Sequence, residues 1–108
     1  MAQNFRRYIA RNVGTSAATL HTANSYDTII GIAIANTTSS EIKVSVYVND
    51  GSNDYHLIKY APIQSGGTLQ IIDGGAKYVI QSADVIKVVS DTASSCDVWV
   101  SAVDAISD

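Results

Sequence analysis

The chain predicts an all-β protein, an antiparallel β-sandwich of the immunoglobulin-like or jelly-roll-like kind, built from eight or nine short strands. Branched residues dominate its apolar content, with 13 Ile and 11 Val against 3 Leu, and 8 Thr besides. Their stiff χ1 suits a pleated surface better than a helix. Short apolar or alternating runs recur at roughly ten-residue spacing between clusters of Gly, Asn, Asp and Ser, which is the rhythm of sandwiches and small barrels. No stretch reads as a convincing helix, and no repeat of fixed period is found.

Met1 to Asn12 is polar and basic and reads as an N-terminal arm or an edge strand; 13–108 reads as one sandwich domain. Val13-Gly14-Thr15-Ser16 is a turn, Ala17 to Ala23 a weak strand, and Asn24-Ser25 a second turn. Tyr26 to Asn49 is the stretch around which the rest is expected to pack. Its first half is apolar on both faces, its second half alternates strictly, and Thr37-Thr38-Ser39-Ser40 lies between, so it reads as a β-hairpin. Asn49 to Asp54 is strong turn chemistry. Tyr55 to Tyr60 follows as a strand that Pro62 ends or marks as a sheet edge, since proline cannot donate to a ladder. Thr68 to Ile72 and Lys77 to Gln81 are short strands around a turn at Asp73-Gly74-Gly75, and Ser82-Ala83-Asp84 turns again. Val85 to Ser90 is apolar on both faces apart from Lys87 and is expected to be central. Cys96 to Val103 is the last strand, with Val98, Val100 and Ala102 on one face and Trp99 and Val103 on the other, and the residues after it are expected to fray. A sandwich strand normally buries one face only. The doubly apolar strands at 29–34 and 85–89 therefore predict that part of the outer surface is covered by another chain.

With 108 residues, 46% of them hydrophobic, the chain can bury one core but not two. Its net charge is −3, a poor balance for displacing counterions from phosphate, so no nucleic-acid partner is expected. The charge is uneven. Arg6, Arg7 and Arg11 lie in the first eleven residues, which hold no acid, while the remainder carries four lysines against ten carboxylates. No apolar run approaches the about 20 residues of a membrane helix, and no secretory segment is seen, so the expectation is a soluble protein of a reducing compartment without a membrane partner. A single cysteine, Cys96, allows no internal disulfide and is expected to be buried.

No catalytic or metal motif stands out, and neither a cofactor nor an enzymatic activity is expected. His21 and His56 are in no spaced ligand cluster and read as surface histidines. Asn49, Asp50, Asn53 and Asp54 offer oxygen donors, but the loop is shorter than an EF-hand loop and lacks its distal Glu, so it reads as a solvated hairpin loop. The paired glycines at 66–67 and 74–75 continue into neither Gly-Lys-Ser/Thr nor a helix and read as turns. Two sets read as contact surfaces. Phe5, Arg6, Arg7, Tyr8 and Arg11 make an arm suited to an acidic surface such as another copy of the chain. Tyr47, Tyr55 and Tyr60 flank the 49–54 loop and suit a contact platform, for a sugar or receptor among others.

Three segments together carry a resemblance: Ala2-Gln3-Asn4-Phe5-Arg6-Arg7-Tyr8 with Asn12-Val13-Gly14-Thr15-Ser16; Ile32-Ala33-Ile34-Ala35-Asn36-Thr37-Thr38; and Ala61-Pro62-Ile63 with Gly66-Gly67-Thr68-Leu69, Val79-Ile80 and Ala83-Asp84-Val85-Ile86. The arrangement resembles small virion structural proteins of tailed bacteriophages, especially those of marine cyanophages. Many of those carry Gly where this chain has Ala83. The resemblance implies a β-sandwich subunit that self-associates as a homo-oligomer, such as a trimer, and contacts other virion proteins such as the major capsid protein. It implies a place in the virion, assembled in the host cytoplasm, as a capsid-decorating (cement) subunit or, alternatively, a tail, neck or fibre subunit.

Overall fold

The computed structural model describes residues 4–23, 27–71 and 78–104. The expected turns at Asn24-Ser25 and Asp73-Gly74-Gly75 and the chain end beyond 104 lie outside these. Nine strands follow one another: β1 (Asn4–Val13), β2 (Ala18–Thr22), β3 (Asp27–Asn36), β4 (Ile42–Asn49), β5 (Asp54–Ile63), β6 (Thr68–Gln70), β7 (Tyr78–Ile80), β8 (Val85–Ser90) and β9 (Cys96–Asp104). They form two antiparallel sheets. Sheet 1 has the order β1-β9-β3-β6, with β7 pairing a second stretch of β3; sheet 2 has the order β2-β8-β4-β5. The predicted β-sandwich architecture is therefore what the chain adopts, and β8 and β9 are both interior strands of their sheets.

The core lies between the sheets and is made almost wholly of branched side chains. Ile29, Ile32 and Ile34 of β3 and Val98, Val100 and Ala102 of β9 face Ile42, Val44 and Val46 of β4 and Ile86 and Val88 of β8. Alternate residues of each strand enter this layer, as the period of a pleated strand requires. Cys96 is fully buried, and that burial pushes its thiol above the ordinary value.

The expected hairpin over Tyr26–Asn49 is not formed. β3 and β4 belong to different sheets, and their connection is an arch over the edge of the core. An alternating pattern states that one face is buried, not whether the next strand lies beside it or across from it. Here Asn36 decides. Its side chain is buried, its Nδ2 donates to the carbonyls of Ser40 (2.8 Å) and Ile63 (2.9 Å), and its Oδ1 accepts from the backbone N–H (2.8 Å) and hydroxyl (2.8 Å) of Thr38. One amide thus ties the end of sheet 1 to β5 of sheet 2. The within-sheet hairpin joins β4 to β5 instead, over Asp50–Asn53.

Of the two readings of the N-terminal segment, arm or edge strand, β1 is an edge strand. It pairs with β9 from Asn4↔Asp104 to Val13↔Cys96, with a bulge where Asn12 takes φ 55° and donates its backbone N–H to Asp97 at 3.0 Å. Gly14 follows at a point of close approach. A Cβ there would lie 3.0 Å from the backbone nitrogen of Ser94 and 3.2 Å from Cα of Ala93. At the far edge of sheet 2, β5 carries Pro62 and a bulge at Tyr60 (φ 55°), whose N–H is taken by Ser45 Oγ at 3.0 Å. Proline and a bulge make β5 a poor template for a further strand.

Two changes test this account. Asn36→Ala leaves the Ser40 and Ile63 carbonyls without their donor and is expected to cost about 2–3 kcal/mol in urea denaturation. Ala83 takes φ 77° as third residue of the Gln81–Asp84 turn, closed by Asp84 N–H to Gln81 O at 2.9 Å, a conformation that costs a residue with a Cβ about 1 kcal/mol. Ala83→Gly is therefore expected to raise the unfolding free energy by about that amount, measured in the same way.

Candidate functional site

The two outer faces of the sandwich differ. On sheet 2 the outward row Thr19–Lys87–Tyr47–His56 is polar, with the Tyr47 and His56 rings 5.0 Å apart. On sheet 1 the outward row Ile9–Trp99–Ala33–Gln70 is mostly apolar, as is Phe5–Val103–Thr28–Val79 at the other end of the strands. Trp99 is 50% exposed, Ile9 53%, Val79 63% and Phe5 75%. β8 also turns Val85 and Val89 outward on sheet 2, both half-buried, but the most exposed Trp, Phe, Ile and Val side chains lie on sheet 1, a gathering that suits a contact surface.

The face has relief. β3 presents Gly31, Ala33 and Ala35 outward, and the larger side chains of β9 and β1 stand beside them. The result is an open groove of about 560 Å³ lined by Ile9, Arg11, Ala33, Ala35, Thr68, Asp97 and Trp99. Arg7 lies with its guanidinium carbon 5.5 Å from the centre of the Trp99 ring, within reach of a cation–π contact. Ile30, the extra residue of the β3 bulge between Ile29 and Gly31, is also exposed.

Phe5, Arg7 and Arg11 of the predicted arm set fall on this outer face of β1. Arg6 pairs opposite Ala102 and Tyr8 opposite Val100, both inward positions. Tyr8 is thus not an outward contact residue. It packs against the core and stacks on His21, with ring centroids 3.9 Å apart and planes within 12°. The three predicted platform tyrosines are not brought together. Tyr47 pairs opposite His56 and Tyr55 opposite Val48, so they start from opposite faces of sheet 2, and Tyr60 sits on the β5 bulge with Lys59 Nζ 5.7 Å from its ring centre.

The 49–54 loop turns its oxygens on itself. Asp50 Oδ1 accepts the N–H groups of Asn53 (2.8 Å) and Ser52 (2.9 Å), which hold its carboxyl below the ordinary value. Asn49 spans to Asp54 Oδ1 at 2.6 Å and accepts from Gly51 N–H at 2.8 Å. Among the described residues, no three His, Cys, Asp or Glu side chains converge as a metal site would require.

His21 is the residue that the sequence placed wrongly. Expected at the surface, its side chain is only 12% exposed, and its Nε2 lies 2.6 Å from Oδ2 of Asp27, whose side chain has no exposure at all. The pair links β2 of sheet 2 to the first residue of β3 in sheet 1, under the Tyr8 ring. Among the described residues, Asp27 Oδ1 is buried with no hydrogen-bond partner. The alternation of β2 carried no sign of this, because a bulge between Thr19 and His21 turns His21 to the inward side, opposite the buried Ile86.

No protein-family profile, curated protein or solved structure matches this chain.

Removing the imidazole takes from the buried Asp27 side chain its contact at 2.6 Å. His21→Ala is expected to cost about 3 kcal/mol by chemical denaturation at neutral pH. The double variant with Asp27→Asn is expected to recover part of the loss, which a cycle of single and double variants measures.

Proposed function

We propose that this chain is a non-enzymatic structural subunit of a tailed-phage particle, a capsid-decorating (cement) protein that acts through contacts between β-sandwich subunits. The observation that carries the reading is the apolar outer face of sheet 1, with Trp99, Ile9, Phe5 and Val79 exposed, on a chain whose other outer face carries the polar row Thr19, Lys87, Tyr47 and His56. Burial of such a face between subunits supplies association free energy in proportion to the apolar area covered. The three-segment resemblance to small virion proteins supports the same reading. β1 supports it as well. Its outward side carries Arg7 and Arg11, and its free edge can take a strand or an acidic surface from a neighbouring subunit or the capsid lattice.

Because β1 is built into sheet 1, deleting 1–12 removes an edge strand along with the basic charges and strips β9 of its partner. Occupancy in the particle is the cleaner measurement. Quantitative mass spectrometry of purified parent particles, referenced to the major capsid protein, is expected to find hundreds of copies per particle. A few to some tens would move the chain to a neck, tail or fibre position. Complete absence would overturn the virion reading.

A further inference from the structure

We infer that Asp50-Gly51 is a latent isoaspartate site whose reaction the fold suppresses, and that Asn49 guards it by holding the Gly51 N–H. The inference is independent of the particle reading, since it concerns a backbone reaction whose only co-reactant is water.

The chemistry is written in the sequence. An aspartate followed by a glycine can close a ring on itself. The Gly51 nitrogen bonds to Cγ of Asp50, and one carboxyl oxygen leaves as water, taking its own proton and the proton of the Gly51 amide. Water then opens the succinimide. Opening at the former main-chain carbonyl leaves the chain running through Cβ of Asp50, an isoaspartate with its free carboxyl on Cα. The water lost is regained, so the net step is an isomerisation. A glycine in second place favours ring closure because no Cβ hinders the approach.

The loop cannot dispense with that glycine. Gly51 has φ 102°, a region left to glycine. Packing does not shield the bond either. Asp50 and Gly51 are both exposed, and beyond its chain neighbours no atom lies within 4 Å of where a Gly51 Cβ would stand. Hydrogen bonds are what restrain the two reacting groups.

The nucleophile is held by Asn49. Gly51 N–H donates to Asn49 Oδ1 at 2.8 Å, so its proton points at an amide oxygen that cannot take it up, and the nitrogen must give up this bond to react. The electrophile is held by the backbone beyond it. Asp50 Oδ1 accepts the N–H groups of Asn53 at 2.8 Å and Ser52 at 2.9 Å. These bonds keep the carboxyl below its ordinary value. Ring closure runs through the protonated carboxyl, whose hydroxyl is the leaving group, so a lowered pKa leaves less of the reactive form at neutral pH. Asn49 is itself fixed, because its Nδ2 donates to Asp54 Oδ1 at 2.6 Å, and the Asp50 N–H closes the turn on the Asn53 carbonyl at 3.2 Å. One amide side chain thus spans the tip of the β4–β5 hairpin and occupies the nucleophile.

The test incubates the purified full chain at neutral pH and physiological temperature, folded and unfolded in urea. Isoaspartate in the loop peptide is measured after digestion, by chromatographic separation and isoaspartyl methyltransferase labelling. The chain's other Asp-Gly pair, Asp73-Gly74, lies outside the described residues and is read as its own peptide. Folded wild type is expected to isomerise at Asp50 about tenfold or more slowly than the unfolded chain, since several hydrogen bonds must open first. Asn49→Ala is expected to speed the folded reaction about fivefold or more, the worth of one hydrogen bond, and to leave the unfolded rate unchanged. Asn49→Ser keeps a weaker acceptor for the Gly51 N–H without the donor to Asp54, and its folded rate is expected to fall between the two. Thermal melts confirm that each variant is folded during incubation. A folded wild type as fast as the unfolded chain would overturn the suppression. Asn49→Ala as slow as wild type, or Asn49→Ser as fast as Asn49→Ala, would overturn the role of the Asn49 acceptor.

Discussion

The carboxamide of Asn36 is the junction on which the sandwich depends. The chain must leave sheet 1 after β3 and re-enter in sheet 2 as β4, and a chain crossing the edge of a core exposes carbonyls that have no ladder to join. Asn36 supplies two donors to the carbonyls of Ser40 and Ile63 and one acceptor to Thr38, all from a buried position. Buried polar groups cost free energy unless each is satisfied, so an amide with both ends used is well suited to such a corner. With β3 and β4 held in opposite layers, their apolar faces meet across the core rather than side by side.

A second cross-sheet tie differs in character. His21 and Asp27 join β2 to β3 through a charge-capable contact, with Tyr8 of the edge strand stacked over the imidazole. This brings β1, β2 and β3 to one point near the start of the chain. The pair costs desolvation that an apolar contact would not, and what it supplies is a defined partner for strands whose sequences are weakly apolar. Ala18 and Leu20 of β2 alone would hold that strand loosely.

The outer faces divide the labour. Sheet 2 turns Thr19, Lys87, Tyr47 and His56 to water, and its edge strand β5 is blunted by Pro62 and a bulge. Sheet 1 turns out an indole, two aliphatic side chains, a phenyl ring and a strip of glycine and alanine. The doubly apolar character of β3, visible in the sequence, has this physical meaning: Ile32 and Ile34 serve the chain's own core, while Gly31, Ala33 and Ala35 form the floor of a surface that other matter can cover.

Much of the architecture was legible in the residues themselves. The excess of Ile, Val and Thr, the two-residue period of Val98, Val100 and Ala102, and the turn clusters near every tenth residue determined the strands, the all-β class and the inward face of most of them. These are local properties, set by side-chain shape and the pleat. The partner of each strand was not local. The arch at Asn36 in place of a hairpin, the burial of His21 against Asp27, the inward turn of Tyr8 and the dispersal of Tyr47, Tyr55 and Tyr60 all depend on which strand lies across the core or at a bulge, and alternation is silent on that. The groove at Trp99 shows the limit most plainly. Trp99 was placed on the opposite face of its strand from Val98, Val100 and Ala102, and Ala33 and Ala35 lay on an apolar run more than 60 residues earlier, but only the β9–β3 register sets them side by side. Hydrophobic periodicity chooses the face of a strand, and tertiary pairing chooses which faces become one surface.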